Sequence, residues 1–261
     1  MPITLPSAQP RPAGRNGATG LRVKVFADGA STEQILSLAD DALVAGFTTN
    51  PTLMRASGVT DYRAFADELL HRVRRKPISF EVGADEAEEM YYQAREIASW
   101  GANVYVKVPV TNSRGESMIP VAGRLSQEDV HVNVTAVFTP AQVAEAVAAL
   151  EGGAPSIVSV FAGRIADTGR DPVPLMKAAV RAAARVPSVE VLWASSREVL
   201  NLYQAEAAGC QIITLTPDLL AKVRLRRKGL LDYSLETVRM FHADAKAIGE
   251  IFPRERTKKA A

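Results

Sequence analysis

The sequence predicts an α/β fold: a single (β/α)8 TIM barrel with an additional C-terminal helix. Three observations carry that expectation. Short β-branched runs alternate eight times with alanine-rich stretches of helical period between residues 23 and 228. Several of those helical stretches open on capping signals. The strand-like runs carry polar side chains near their carboxyl ends, on one face only. A doubly wound open sheet is the competing architecture. It would announce itself with a Gly-rich first turn, and Phe26-Ala27-Asp28-Gly29-Ala30-Ser31 is not GxGxxG.

Taken in order, residues 1–20 are rich in proline and glycine with little that is apolar, and are expected to form a disordered tail. They lack the apolar stretch of a secretory signal and the amphipathic period of a transit peptide. The barrel is expected over 21–252, and a short basic tail over 253–261. The candidate strands are Val23–Asp28, Gly46–Thr49, Ile78–Val82, Val104–Pro109, Val132–Val137, Ser156–Ala162, Val189–Ala194 and Ile212–Leu215. Helices are expected near 32–45, 61–74, 85–100, 117–127, 140–151, 172–186, 196–208 and 217–228, with a last one near 235–250. Pro120 and Gly123 make 117–127 the weakest of them. Thr139-Pro140-Ala141-Gln142 offers an N-cap, a first-turn proline and a Gln that closes a capping box. Asp171-Pro172 and Thr216-Pro217 repeat the cap-plus-proline device. Ser31-Thr32-Glu33-Gln34 and Asp85-Glu86-Ala87-Glu88 read as further capping boxes, and Ser195 with Glu198 as another.

Composition narrows the function. At 261 residues, 47% hydrophobic and 23% charged, the chain can bury a core without disulfides. Cys210 is the only cysteine, and it reads as a buried, inert thiol. His71, His131 and His242 have no metal-ligand spacing, so no metal or other cofactor is expected. Lys and Arg total 31 against 29 Asp and Glu, a balance that gives no reason to expect nucleic-acid binding. The basic run Lys222–Lys228 reads as a solvated helix face. No apolar run approaches the roughly 20 residues that span a bilayer. A soluble, cytoplasmic protein without a membrane partner is expected.

Covered parallel strands are normally apolar throughout, so their polar residues are informative. In Val104-Tyr105-Val106-Lys107-Val108-Pro109, Tyr105 and Lys107 share one face and the valines the other. Ser79 and Glu81 share a face of the third strand, and the polar residues of His131–Val137 share a face of the fifth. Asp28 ends the first strand, and Thr48-Thr49-Asn50-Pro51 ends the second. Asp28, Asn50, Glu81, Lys107, Asn133 and Thr135 thus mark a site at the top of a barrel, on five consecutive strands. An amine in an apolar setting is more readily neutral, and a neutral amine can attack a ketone to form a Schiff base. The alternative for Lys107 is a side chain that snorkels to the rim or pairs with a carboxylate. Arg164 and Arg197 each directly follow a strand, a placement that suits a phosphate.

Together these segments resemble the transaldolases, in particular the group of small transaldolases and fructose-6-phosphate aldolases. Thr48-Thr49-Asn50-Pro51-Thr52-Leu53 resembles that family's TTNPS/T segment, and Val106-Lys107-Val108-Pro109-Val110-Thr111 its VKVPVT strand with the Schiff-base lysine. Ser159-Val160-Phe161-Ala162-Gly163-Arg164-Ile165, Ala194-Ser195-Ser196-Arg197 and Ala208–Leu215 resemble its S-x-F-x-GRI, ASFR and AGC-x-x-ITL segments. The resemblance runs in order from about residue 22 to 250.

The resemblance implies roles by position. Lys107 would form the Schiff base with a ketose. Asp28 and Asn50 would handle its hydroxyls and the C–C cleavage, with Thr49 beside them. Glu81 and Thr135 would hold a proton-relaying water. Asn133 and Ser159 would contact the dihydroxyacetone portion, and Arg164, Ser195 and Arg197 the phosphate. The resembling aldolases carry Gln and Tyr at the positions of Glu81 and Phe161, which favours transfer over free aldol cleavage here. Ser196 and Trp193 depart from the family pattern, as do Pro120 and Gly123, and bear on substrate choice. The implied function is a class I transaldolase of carbohydrate metabolism, of the pentose phosphate type, acting on phosphorylated sugars. The alternatives are a fructose-6-phosphate aldolase, a sulfosugar transaldolase, and a non-catalytic sugar-phosphate-binding barrel. By analogy with short family members, a homo-oligomer, pentamer or decamer, is expected.

Overall fold

A computed structural model describes residues 20–29 and 31–249. The expected tails at 1–20 and 253–261 lie outside the described residues, apart from Gly20. Eight parallel strands close into a barrel in sequence order: β1 (Lys24–Gly29), β2 (Val44–Thr49), β3 (Ile78–Glu81), β4 (Val104–Pro109), β5 (Val132–Val137), β6 (Ser156–Val160), β7 (Val189–Trp193) and β8 (Ile212–Leu215). Each strand pairs with its neighbours, and β8 returns to β1 through Lys24↔Ile212 and Phe26↔Thr214. The helices are α1 (Thr32–Ser37), α2 (Pro51–Ala56), α3 (Tyr62–Arg72), α4 (Ala87–Ala98), α5 (Ile119–Gln127), α6 (Pro140–Ala149), α7 (Ala162–Asp167), α8 (Val173–Ala183), α9 (Leu200–Ala208), α10 (Pro217–Val223) and α11 (Leu230–Ile248).

Strand alternation produces two apolar layers. Val106, Val108, Val134, Val158 and Val191 are fully buried on the outward faces, where helices cover them. Inside, Phe26, Ile157, Leu192, Ala194 and Ile212 form a plug, with Tyr105 and Phe161 packed against it. The plug fills the lower barrel, so the polar side chains nearer the strands' carboxyl ends sit on a packed floor.

All eight expected strands are present; the helices depart more from expectation. The helix expected over 32–45 is the single short α1, because β2 begins at Val44 and the intervening residues turn. α2 and α7, six residues each, were not expected: they are shorter than the window that reveals helical period. Thr139 and Gln142 form their reciprocal capping box. Ser31 accepts from the Gln34 amide. The box expected at Asp85 does not form: Glu86 takes the N-cap position of α4, and the Asp85 carboxylate accepts from Ser113 instead. The Ser195–Glu198 box does not form either. α9 starts at Leu200, and Asn201 Oδ1 accepts the Arg197 and Glu198 amides. Pro120 is tolerated in the first turn of α5, and Gly123 has a steric reason. A Cβ there would come within 3.0 Å of the Ala149 carbonyl oxygen at the end of α6.

The barrel unit ends at Leu220, and a second compact unit begins at Ala221. Within that second unit, α11 has no buried residue, and Leu230, Leu231, Val238 and Phe241 are exposed along it. It starts five residues before the helix expected near 235–250. Lys228 pairs with Glu236 and lies 4.9 Å from the Tyr233 ring centre.

Candidate active site

A cavity of about 440 Å³ opens at the carboxyl ends of the strands. Asp28, Asn50, Glu81, Lys107, Thr135, Ser159, Phe161, Arg164, Ser195 and Arg197 all border it. Ten of the twelve residues singled out from the sequence are therefore brought together. Thr49 and Asn133 are not on the cavity wall.

Lys107 projects inward from β4, with its side chain only 8% exposed. The register Glu81↔Lys107 sets the two side chains abreast on β3 and β4. Lys107 Nζ lies 2.8 Å from Glu81 Oε2 and donates to the Thr49 carbonyl oxygen at 2.7 Å. Thr49 thus meets the lysine through its backbone. Its hydroxyl points away and donates to the Ser79 carbonyl. Strand parity accounts for this: Thr48 and Asn50 point inward, and Thr49 lies between them.

Asn133 is fully buried beneath the cavity and bridges two serines. Its amide nitrogen donates to Ser79 Oγ at 3.1 Å, and Ser159 Oγ donates to its carbonyl oxygen at 2.7 Å. It holds Ser159 from behind. Thr135 Oγ1, on the same strand, is buried at the cavity wall and has no hydrogen-bond partner among the described residues. Such a hydroxyl is costly to leave unsatisfied, so a polar ligand atom there is favoured.

Asp28 receives hydrogen bonds from Thr48 Oγ1 at 2.9 Å and Asn50 Nδ2 at 3.4 Å. Burial pushes its carboxyl above the usual carboxylate range. The Lys107 cation and the bonds from Thr48 and Asn50 pull the other way, and the Glu81 charge adds to the rise. Thr48 in turn sits 2.7 Å from Thr214 Oγ1 on β8.

Glu81 is positioned from outside the barrel. β2 and β3 are in register only at Phe47↔Ile78 and Thr48↔Ser79, so β3's last residue extends past that ladder. Tyr62 of α3 takes over: its hydroxyl accepts from the Glu81 amide at 2.8 Å and donates to the Glu81 carbonyl at 3.0 Å. The ring is held edge-on against Phe80 and Trp100, and burial pushes the phenol's pKa well up.

At the opposite wall the segments after β6 and β7 converge. Gly163 permits this: a Cβ on it would fall 1.6 Å from the Ser195 carbonyl oxygen. Ser195 itself has φ 64°, a left-handed conformation that non-glycine residues rarely adopt. Arg164 lies 5.3 Å from the Phe161 ring centre. Arg197 makes a two-pronged pair with Asp167, Nε to Oδ1 at 2.9 Å and Nη2 to Oδ2 at 2.6 Å. That bond holds Asp167 below the usual carboxylate range and Arg197 above its ordinary value. Ser196 is buried and donates to the Thr214 carbonyl at 2.9 Å.

The residues that sequence reasoning did not select are Thr48, Thr214, Tyr62 and Asp167. Strand parity alone would have chosen Thr48 over Thr49. Tyr62 and Asp167 carry no such signal, since both act from helices. Cys210 is buried as expected, and burial pushes its thiol up to about 12. Among the described residues no cluster of acidic, His and Cys side chains is arranged to hold a metal, and no helix is long and apolar enough to cross a membrane.

A family model described as Transaldolase/Fructose-6-phosphate aldolase matches residues 25–252. A protein named "Probable transaldolase" from Dehalococcoides mccartyi is 34% identical over 194 residues, covering 74% of this chain and 86% of that protein. Another of the same name from Lactiplantibacillus plantarum is 34% identical over 216 residues, covering 81% and 95%. A crystal structure of 2,3-dimethylmalate lyase, of the PEP mutase/isocitrate lyase superfamily, superposes with a TM-score of 0.52 at 13% identity. It covers 91% of this chain and 88% of that one, and shows the fold alone.

Proposed function

We propose, from the premise that this chain belongs to the transaldolase/fructose-6-phosphate aldolase family, that it is a class I, Schiff-base transaldolase of the cytoplasm. It would move a dihydroxyacetone unit from a ketose phosphate, sedoheptulose 7-phosphate or fructose 6-phosphate, to an aldose phosphate. One observation carries the reading. Lys107 is a buried amine at a cavity, with a carboxylate 2.8 Å away that can exchange its proton.

The steps follow from the residues. Lys107 Nζ, as the neutral amine, adds to the ketose C2, and the carbinolamine loses water to give an iminium. Glu81, with the Thr135 hydroxyl, would hand protons to and from that water; the 2.8 Å Lys107–Glu81 contact supports this. Asp28, as a carboxylate, takes the proton from the C4 hydroxyl while the C3–C4 bond breaks. Its electron pair moves into the iminium to form an enamine. The aldose leaves, an acceptor aldehyde takes its place, and the enamine carbon attacks it. Asp28 then returns the proton to the new hydroxyl, and water releases the product from Lys107. Arg164 and Arg197 would hold the phosphate, the planar guanidinium being suited to it.

Phe161 and Glu81 favour transfer over a free aldolase. An aldolase must protonate the enamine, and Phe161 has no hydroxyl to offer. Product analysis with fructose 6-phosphate, with and without erythrose 4-phosphate, tests the function. Acceptor-dependent formation of a seven-carbon ketose supports it. Free dihydroxyacetone formed faster than transfer product would move the assignment to aldolase. A donor and acceptor screen that includes sulfonated sugars fixes the physiological pair. We also infer a homo-oligomer, pentamer or decamer, in which a second copy covers the apolar side chains along α11; a native mass measurement tests it.

A further inference from the structure

The two threonines that reach across β1 form a hydrogen-bond chain whose direction is fixed by proton counting. Thr48 Oγ1 lies 2.9 Å from Asp28 Oδ1 and 2.7 Å from Thr214 Oγ1. A hydroxyl has one proton to donate. A carboxylate can only accept, so Thr48 must direct its proton to Asp28. Thr48 then has only lone pairs for its other neighbour, and Thr214 must donate to it. When Asp28 is protonated the order can reverse: Asp28 donates to Thr48, and Thr48 to Thr214. The chain therefore has two arrangements, each tied to one protonation state of Asp28.

We propose that Thr214, on β8, is a positioning residue for proton transfer: its hydroxyl polarises Thr48 and so stabilises Asp28 as the carboxylate. This rests on the reading of Asp28 as the group that takes the substrate hydroxyl proton. Three features of the surroundings support it. Thr214 is buried and its backbone is held, since Ser196 Oγ donates to its carbonyl. The floor below is apolar, with Phe26, Ile212 and Leu192, so a hydroxyl there without a polar task would be costly. Filling the space would need only a valine, which has the same shape. Chained hydrogen bonds also strengthen one another, so the outer hydroxyl is felt at the carboxylate.

The other groups around Asp28 set the background against which the chain acts. Asn50 donates from β2, the Lys107 cation on β4 favours the carboxylate, and the Glu81 charge on β3 opposes it. Arg164 and Arg197 line the same cavity. α1, packed outside β1, carries only Glu33, which is exposed.

The test compares wild type with Thr214→Val, Thr214→Ser and Thr48→Val in two assays. Borohydride trapping of the donor on Lys107 reports Schiff-base formation. The pH profile of kcat/KM for cleavage reports Asp28. Thr214→Val should trap the donor as wild type does, while its acid limb moves up by about half a pH unit. Thr48→Val should move it further, and Thr214→Ser should restore the wild-type profile. Normal trapping with an acid limb that stays in place, the rate falling equally at every pH, would overturn the proposal alone. Wild type that traps no donor would overturn the Schiff-base reading, and this proposal with it.

Discussion

The barrel contains two inward-facing lysine–glutamate pairs, one at each end, and they sit in different surroundings. At the amino ends of the strands, Lys24 of β1 meets both oxygens of Glu190 of β7, at 2.8 and 2.5 Å. Those side chains are 41% and 35% exposed, so water screens the pair and supports either charge alone. At the carboxyl ends, Lys107 and Glu81 are 8% and 19% exposed. There the ammonium meets one carboxylate oxygen and one backbone carbonyl, and it faces a cavity. The same two residue types thus give a solvated tie at one end and a largely buried pair facing a cavity at the other. Depth and the second contact make the difference, not the chemistry of the side chains.

The largest expected effect breaks the comparison at its upper end. Lys107→Arg keeps a positive charge but places a guanidinium there, which stays protonated and is a poor nucleophile. Turnover should fall on the order of 10⁴-fold. The borohydride-trapped adduct, found by peptide mass on the segment holding Lys107 in wild type, should be absent. An adduct that persists would mean another amine does the work.

Next come the arginines across the cavity. Arg164→Ala or Arg197→Ala should weaken apparent affinity for a phosphorylated substrate by about 2–3 kcal/mol. Steady-state kinetics with an unphosphorylated sugar should change little. Equal losses on both substrates would make the two arginines structural.

A smaller effect sharpens what the half-buried Glu81 does. Phe161→Tyr, alone and with Glu81→Gln, should raise release of free dihydroxyacetone by about tenfold and lower transfer, because it supplies a proton near the enamine. Product ratios without acceptor read this directly; an unchanged ratio would remove Phe161 from the partition.

The pH dependence follows from Asp28. Its carboxyl is raised by burial, and the proposed cleavage step needs it ionised. Activity should therefore be full above the raised value and fall as pH drops through it. That places the acid limb above the ordinary aspartate value of about 3.9. A limb at or below that value would assign the base elsewhere.

The smallest effect belongs to the lower pair. Lys24→Met or Glu190→Gln should change stability by less than about 1 kcal/mol in a denaturant titration. Both variants should keep full activity and full trapping. A large loss of activity in either would erase the contrast between the two ends.

How much of this was legible in the sequence follows the same division. The strands were legible because buried parallel strands read as valine runs, and inward polar residues interrupt those runs with period two. Asp28, Glu81, Lys107 and Thr135 were found that way. For Thr48 and Thr49, strand parity and the register Asp28↔Thr48 both put Thr48 beside Asp28 on the inward face. For Asn133 the inward face was legible, but its depth and its bonds to Ser79 and Ser159 were not. Tyr62 and Asp167 were missed because their contacts cross between elements distant in sequence. α2 and α7 left no trace, since six residues complete fewer than two turns.

The Tyr62 hydroxyl gives the molecule a thermal weak point of its own. Glu81 is the end of a four-residue strand, and its amide is held by a phenol on a helix, not by a neighbouring strand. Segments of a fold can open locally before the whole unfolds, and α3 is expected to do so before the barrel. When α3 frays on warming, the Glu81 backbone loses its clamp while the other seven strands stay paired. Inactivation on heating should thus precede melting of the sheet, and amide exchange at Glu81 should keep pace with α3, not with β3. The upper working temperature of the site is then set by a helix that never touches the substrate.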